Sequence, residues 1–398
     1  MLKSYLHKAF SVFFILGFLF IPLTFFGWDF QYRLTRFIFL RLVTFIQNHL
    51  FKGAISTVDF SSDTVAFNIL ICLLMALALI VAILLYRFKS GTNIIERWFP
   101  SISAWYLALV LLRYGFDKVF KHQFYLPEPN ILYSNFGSLN KDILYWSTMG
   151  LSRTYSVITG SAEVLTALLL MIKRTRVAGF CLAIAVLANI VLINFSFDIS
   201  VKTFSLFLLA LALFNLLPYT KILYAFFIRR QQVRLPAVAQ HKTTLVKWIS
   251  RLPCVLIVLY VLIPYLEDGN FNDDRAARPL LHGAYNIRNF VIDGDTLKKG
   301  DFPYTRFFIH RKNYLILQTR DGAMVDYFFD IDPVNRQLTL RDYSKHTVKV
   351  NYNYTKTKGI LKLMFVNKGK WIIEGDTLPI KTLPALQDGV HYTVDEIK

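Results

Sequence analysis

Long apolar stretches separated by short polar ones fill the first two thirds of the chain. From Asp268 the pattern changes to short runs in which apolar and polar positions alternate. Seven of the long stretches, near 8–28, 65–87, 100–120, 153–172, 177–196, 202–227 and 247–266, have the length a helix needs to cross roughly 30 Å of hydrocarbon. The first lacks a small-residue cleavage site, so it reads as a retained helix and not as a signal peptide. In the loop 29–63, Arg33, Arg36 and Arg41 interleave with Phe30, Leu34, Phe37 and Ile38, a spacing that predicts a helix lying in the membrane interface.

Beyond Asp268 eight runs read as strands: AYNIRNFVI, RFFIH, NYLILQT, MVDYFFDI, QLTLRDY, TVKVNYNY, ILKLMFV and KWIIEG. Along Val348–Tyr354, Val348, Val350, Tyr352 and Tyr354 fall on one face and Lys349, Asn351 and Asn353 on the other. Asp293-Gly294, Asp321-Gly322, Asp332-Pro333 and Asn367-Lys368-Gly369 stand between runs, where tight antiparallel turns want such residues. The expected fold class is therefore a polytopic α-helical membrane protein of about seven spans, followed by a soluble antiparallel all-β domain, either a meander barrel or a sandwich. No helix–strand repeat is present, which argues against a dinucleotide-binding domain.

Composition agrees with the membrane reading: 55% of the 398 residues are hydrophobic and only 18% charged. Charge adds an orientation. Residues 1–266 hold 25 Lys and Arg against 9 Asp and Glu, and the remainder hold 20 against 17, so most of the net +19 lies in short loops beside apolar runs. There it sets topology and meets anionic lipid, which leaves nucleic acid without support as a partner. With the N-terminus inside, the cytoplasmic segments carry 15 basic residues and the external loops about 8. Seven crossings then put the C-terminal domain outside a bacterial cytoplasmic membrane, in the periplasm.

Ionisable groups inside such runs are expensive, about 2.5 to 3.5 kcal/mol each on insertion scales. Glu163 lies near the middle of the fourth run and must be protonated or paired with a cation from another helix. Arg113 and Asp117 stand at i and i+4 with Lys118 beside them, and Asp198 and Lys202 repeat that spacing at the external end of the sixth run, after Asn189 and Asn194. Each has a plain reading as a helix-end ion pair or as interhelical hydrogen-bond glue. Together with Gln123 at the water boundary, these nine residues are the candidates for ligand contact or proton relay, with Glu163 as the group left unneutralised.

Catalytic motifs are absent from the sequence: there is no H-E-x-x-H, no G-x-x-x-x-G-K-[ST], no G-x-G-x-x-G and no G-x-S-x-G. The eight histidines are scattered without metal-ligand spacing, so no metal site is expected and no catalytic residue is assigned. Cys72, Cys181 and Cys254 lie singly within apolar runs and read as buried small apolar residues.

Arg113–Pro129 reads RYGFDKVFKHQFYLPEP, Gly150–Thr175 reads GLSRTYSVITGSAEVLTALLLMIKRT, and Ala188–Pro218 contains N-x-x-x-x-N followed by F-D-x-x-V-K. In order and spacing these stretches resemble the DoxX-like bacterial membrane proteins over residues 95–230. One departure is Thr166–Leu170, where relatives often carry a glycine. The tail opens LLHGAYNIRNFVIDGDTL, which is similar to the start of the lipocalin-like β domains appended to some of these proteins. The resemblance divides the chain into a two-span segment with an interfacial loop helix (1–94), a DoxX-like four-helix bundle (95–230), a cytoplasmic linker and seventh span (231–267), and an extracytoplasmic lipocalin-like domain (268–398).

Some DoxX-like proteins look like subunits of a thiosulfate:quinone oxidoreductase, and others are associated with thiol or oxidative-stress handling. Thiol oxidases of similar architecture use cysteine pairs, which this chain lacks. Two readings follow. In the first, the protein is a binding or accessory membrane protein whose bundle holds a quinone or lipid and whose β domain meets a periplasmic or membrane partner, or an apolar ligand. In the second, it is a subunit of a quinone-linked oxidoreductase in which Glu163, Arg113 and Lys118 move protons. A quinone is the one candidate cofactor.

Overall fold

The computed structural model describes residues 2–23, 26–27, 29–50, 58–87, 92–234, 244–366 and 370–387. The chain forms two compact units, one of residues 1–120 and 157–271, the other of residues 121–156 and 272–398. The expected turn at Asn367-Lys368-Gly369 and the middle of the expected linker lie outside the described residues.

The helices are α1 (Leu2–Phe20), α2 (Asp29–Leu50), α3 (Val65–Arg87), α4 (Thr92–Val119), α5 (Pro129–Leu132), α6 (Lys141–Leu151), α7 (Arg153–Met171), α8 (Arg176–Ser196), α9 (Lys202–Leu216), α10 (Thr220–Phe227) and α11 (Thr244–Asp268). Among the described residues five helical stretches are long and apolar enough to cross a membrane: Val65–Arg87, Arg153–Met171, Arg176–Ser196, Lys202–Phe227 and Arg251–Arg275. The first predicted run ends sooner than expected, at Phe20. The reason lies in α2: Gln31 donates to the Phe18 carbonyl and Thr35 to that of Phe20, while Leu23 N–H donates to Gln31, so side chains take over the last carbonyls of α1. Between α9 and α10 stands Pro218, which has no N–H to continue the ladder.

The helical core is aromatic. Phe14 of α1 meets Phe99 of α4 and Phe207 and Phe214 of α9, with ring centroids 5.4 to 6.2 Å apart. Ser103 of α4 donates to Asn215 of α9 at 2.8 Å, both buried, so the interhelical glue expected of the asparagines is made at a residue the sequence reading passed over. Cys72 is exposed on α3 and Cys181 and Cys254 are half-buried, contrary to the expected burial: these thiols face the outside of the helical unit, where an apolar group suits a lipid-facing surface.

The strands are β1 (Gly283–Ile292), β2 (Asp295–Thr296), β3 (Arg306–His310), β4 (Tyr314–Gln318), β5 (Met324–Asp332), β6 (Gln337–Arg341), β7 (Thr347–Thr355), β8 (Ile360–Phe365) and β9 (Ile372–Thr377). Eight of them coincide with the predicted runs; the two-residue β2, paired only to β1, does not. All neighbours are antiparallel, and β9 returns to pair with β1, closing a barrel and excluding the sandwich. The interior is filled by side chains, among them Phe290, Phe307, Leu315, Phe329, Leu340 and Leu361. The alternating residues of β7 fall as predicted, with Val350 and Tyr352 buried and Val348 and Tyr354 packed against the core. Gly375 permits this packing: a Cβ there would stand 2.5 Å from the Phe307 ring, which stacks on Tyr285 at 4.8 Å.

Candidate functional site

On α4 the apolar positions Ala104, Leu107, Ala108 and Leu111 are fully buried, and the next two turns carry the charges. Arg113 Nε lies 3.2 Å from Asp117 Oδ2, the i, i+4 pair the spacing implies. Asp117 also accepts a 2.6 Å hydrogen bond from the hydroxyl of Tyr265 on α11, and the Arg113 guanidinium lies over the Tyr265 ring at 5.1 Å. The pair is thus a three-residue link between α4 and α11.

One residue further along, Lys118 Nζ donates to both oxygens of Glu163 on α7, at 2.7 and 2.8 Å, with both side chains buried. This corrects the expectation that Glu163 stands unneutralised. Two glycines bring the groups together. A Cβ on Gly115 would lie 2.9 Å from the Gly160 carbonyl oxygen, and one on Gly160 would lie 2.6 Å from that of Gly115 and 2.8 Å from Lys118 Cβ. The helices therefore cross backbone to backbone at Gly115 and Gly160, each glycine three residues before its charged partner. A second close approach is made where Gly179 of α8 meets the backbone of Leu169 and Leu170.

The other candidates are placed differently. Lys202 Nζ contacts Asp198 at 2.6 Å, but Asp198 is 81% exposed and lies in a turn with φ of +54°. The start of α9 is held instead by Asp63, which accepts from the N–H groups of Lys202 and Thr203. Asn189 is exposed on α8 and makes no side-chain hydrogen bond to another helix among the described residues, whereas Asn194 is buried with an amide nitrogen that has no partner among them. Gln123 belongs to the other unit, half-buried with its oxygen unpartnered. Of the nine candidates the structure joins Arg113 to Asp117 and Lys118 to Glu163, on or against α4, and Lys202 to Asp198 at the start of α9. A cavity of about 40 Å³, room for a few waters, is walled by Tyr114 of α4 together with Ser61, Ser62, Asp63 and Ser200. The Tyr114 ring lies 5.6 Å from Lys118 Nζ.

In the β unit a second polar cluster gathers around Glu128, a buried residue between two prolines that the sequence reading did not single out. Glu128 Oε2 is 3.0 Å from His282 Nε2, accepts the Arg311 N–H at 3.1 Å and lies 3.9 Å from His310 Nε2, while Oε1 is 3.3 Å from Arg311 Nε. Arg311 also pairs with Asp273, lies over the Tyr125 ring at 3.5 Å, and has Arg278 close to the same aspartate. Lys121, fully buried, donates to the Gly150 carbonyl at 2.6 Å and pairs with Asp274 at 3.6 Å. With neutral histidines, Lys121, Arg278 and Arg311 balance Glu128, Asp273 and Asp274.

Burial pushes the Glu128 carboxyl up, but the His282 hydrogen bond, the nearby His310 and the Arg311 N–H together hold it below the usual carboxylate range. Burial drives His310 below the ordinary imidazole value, more than Glu128 can offset. Burial likewise lowers Lys121. Nearby, α5 lays Tyr133 against Ala284, Phe308 and Ile316 on the outer face of the barrel, and the Tyr133 hydroxyl donates to the Pro379 carbonyl. The segment 121–156 is thus a strap fastened to the barrel. No local signal marks the cluster, because His282 and Arg311 stand 154 and 183 residues from Glu128. The Pro-Glu-Pro triplet, which fixes the backbone about one carboxylate, is the nearest thing to one.

Within the chain, 120 residues are 32% identical to the uncharacterized protein YwoB of Bacillus subtilis (strain 168), covering 30% of this chain and 75% of YwoB. No family model and no solved structure matches the chain.

Proposed function

We propose, starting from a chain that belongs to the family of YwoB, that this protein is an integral protein of the bacterial cytoplasmic membrane acting as a binding or accessory component. The observation that carries the reading is the buried Lys118–Glu163 pair: both charges are spent on each other at a crossing closed by Gly115 and Gly160. Such a pair fixes α4 against α7 and offers no unbalanced group to a substrate. Five apolar helices long enough to cross a membrane and the basic loops support a polytopic protein with an inside N-terminus; the DoxX-like pattern of residues 95–230 and the full number of about seven spans belong to this reading. On that topology the barrel lies in the periplasm. It is lipocalin-like in its up-and-down strand order, but its interior is occupied by its own side chains, so its outer surface is what it presents to a partner.

A lipid between helices is the ligand this arrangement favours. Ligand pockets measure roughly 300 to 1,000 Å³, against about 40 Å³ beside Tyr114, so a quinone ring at that place would require its walls to part. The quinone-linked oxidoreductase subunit stays as a second reading on one observation: Tyr114 lines that cavity, and its ring lies 5.6 Å from Lys118 Nζ of the ion pair. Mass spectrometry of small molecules extracted from the protein in mild detergent separates the two. Lipid retained equally by wild type and Glu163→Gln supports the first. A stoichiometric quinone that is lost in Glu163→Gln replaces it with the second.

A further inference from the structure

Helix α2 seats an unusual face on its neighbours. Its buried positions are Gln31, Thr35, Phe39, Val43 and Gln47, spaced every fourth residue, and three of the five are polar. The opposite face is apolar and open: Phe30 is 63% exposed, Phe37 88% and Phe45 59%, with Leu34, Ile38 and Leu42 beside them. That inversion suits a surface that meets lipid.

Two cations interrupt the open face. At 100° per residue Arg41 falls at its centre, one turn from both Phe37 and Phe45, and Arg33 falls on its flank. Both are exposed, and among the described residues neither has an ionic or hydrogen-bond partner. Arg36 differs, being turned toward the Tyr32 hydroxyl and the Val58 carbonyl, each at 3.4 Å. Unpaired guanidinium groups amid exposed phenylalanines are costly in hydrocarbon but well placed at the level of lipid phosphates, which they bind in a bidentate way. α2 is also absent from the helices apolar enough to cross a membrane.

We propose that the outer face of α2 lies in the membrane interface and binds anionic phospholipid, with Arg33 and Arg41 holding the headgroup phosphate and Phe37 and Phe45 entering the acyl boundary. The inference rests on the membrane reading of the helical unit and is independent of the Lys118–Glu163 junction. It is tested on the purified full chain by native mass spectrometry, titrating phosphatidylglycerol and phosphatidylcholine in mild detergent. Wild type should retain phosphatidylglycerol in preference. Arg33→Gln/Arg41→Gln should lose that preference by about tenfold or more, and Arg33→Lys/Arg41→Lys, which keeps both charges, should preserve most of it. An unchanged preference in the Gln variant overturns the proposal, as does a lipid-free dimer in place of retained lipid. Should wild type retain neither lipid, the membrane reading itself fails.

Discussion

Removing either partner of the Lys118–Glu163 pair strands the other charge in a buried site. Glu163→Gln or Lys118→Met alone should lower stability by about 3 to 5 kcal/mol, whereas Lys118→Met/Glu163→Leu, which removes both charges, should recover most of it. Thermal unfolding in a fixed detergent checks this, and a double variant no better than the singles would show that the charges do more than hold helices. Phe307→Ala in the barrel opens a cavity beside Gly375 and should cost about 3 to 5 kcal/mol, read as loss of the β unit's cooperative transition in chemical denaturation. The two sites differ in how far sequence could reach them. Arg113 with Asp117 was legible because one helical turn is encoded locally. Lys118 with Glu163 was not, because their meeting depends on two glycines facing each other across 45 residues of chain.

Among the elements, the strap of residues 121–156 responds to acid through two groups held below their ordinary values. Facing them are Arg311 and Lys312 from the β3–β4 turn, His282 before β1, and Asp273 beyond the guanidinium. His310 is lowered in the folded protein, so the stability it contributes is present above its ordinary value of 6.5 and is lost as pH falls through its folded value. Glu128 is also lowered, so its contribution is present above 4.5 and goes as pH falls further. Backbone amide exchange across 121–156, corrected for its intrinsic pH dependence, should therefore rise in two steps on acidification. His310→Gln should remove the first, and a flat profile in wild type would refute the scheme. Element periodicity was well encoded: the helical runs and eight strands were found from spacing alone. The end of α1 was not, because its last carbonyls are satisfied by Gln31 and Thr35, which nothing in the α1 sequence announces.

For the whole molecule, the proposed seven crossings with an inside N-terminus predict that alkaline phosphatase fused after Lys398 is active and that a cytoplasmic reporter at the same site is silent; the reverse would remove the topology. The closing contact of the barrel carries a further consequence, one of time. Among the described residues β1 completes its pairing with β9, so the sheet stays an open ribbon with two unpaired edges until Thr377 has been made. The strap is made earlier still, and Glu128 waits through the synthesis of the intervening helices for the histidine and arginine that receive it. Closure of the barrel is therefore deferred until β9 has been made. Shortening the chain to end before Ile372 should yield protein that inserts normally yet has its tail degraded or aggregated, which protease protection of isolated membranes would reveal. Until β9 arrives, the growing sheet must be kept from pairing its two open edges with other chains.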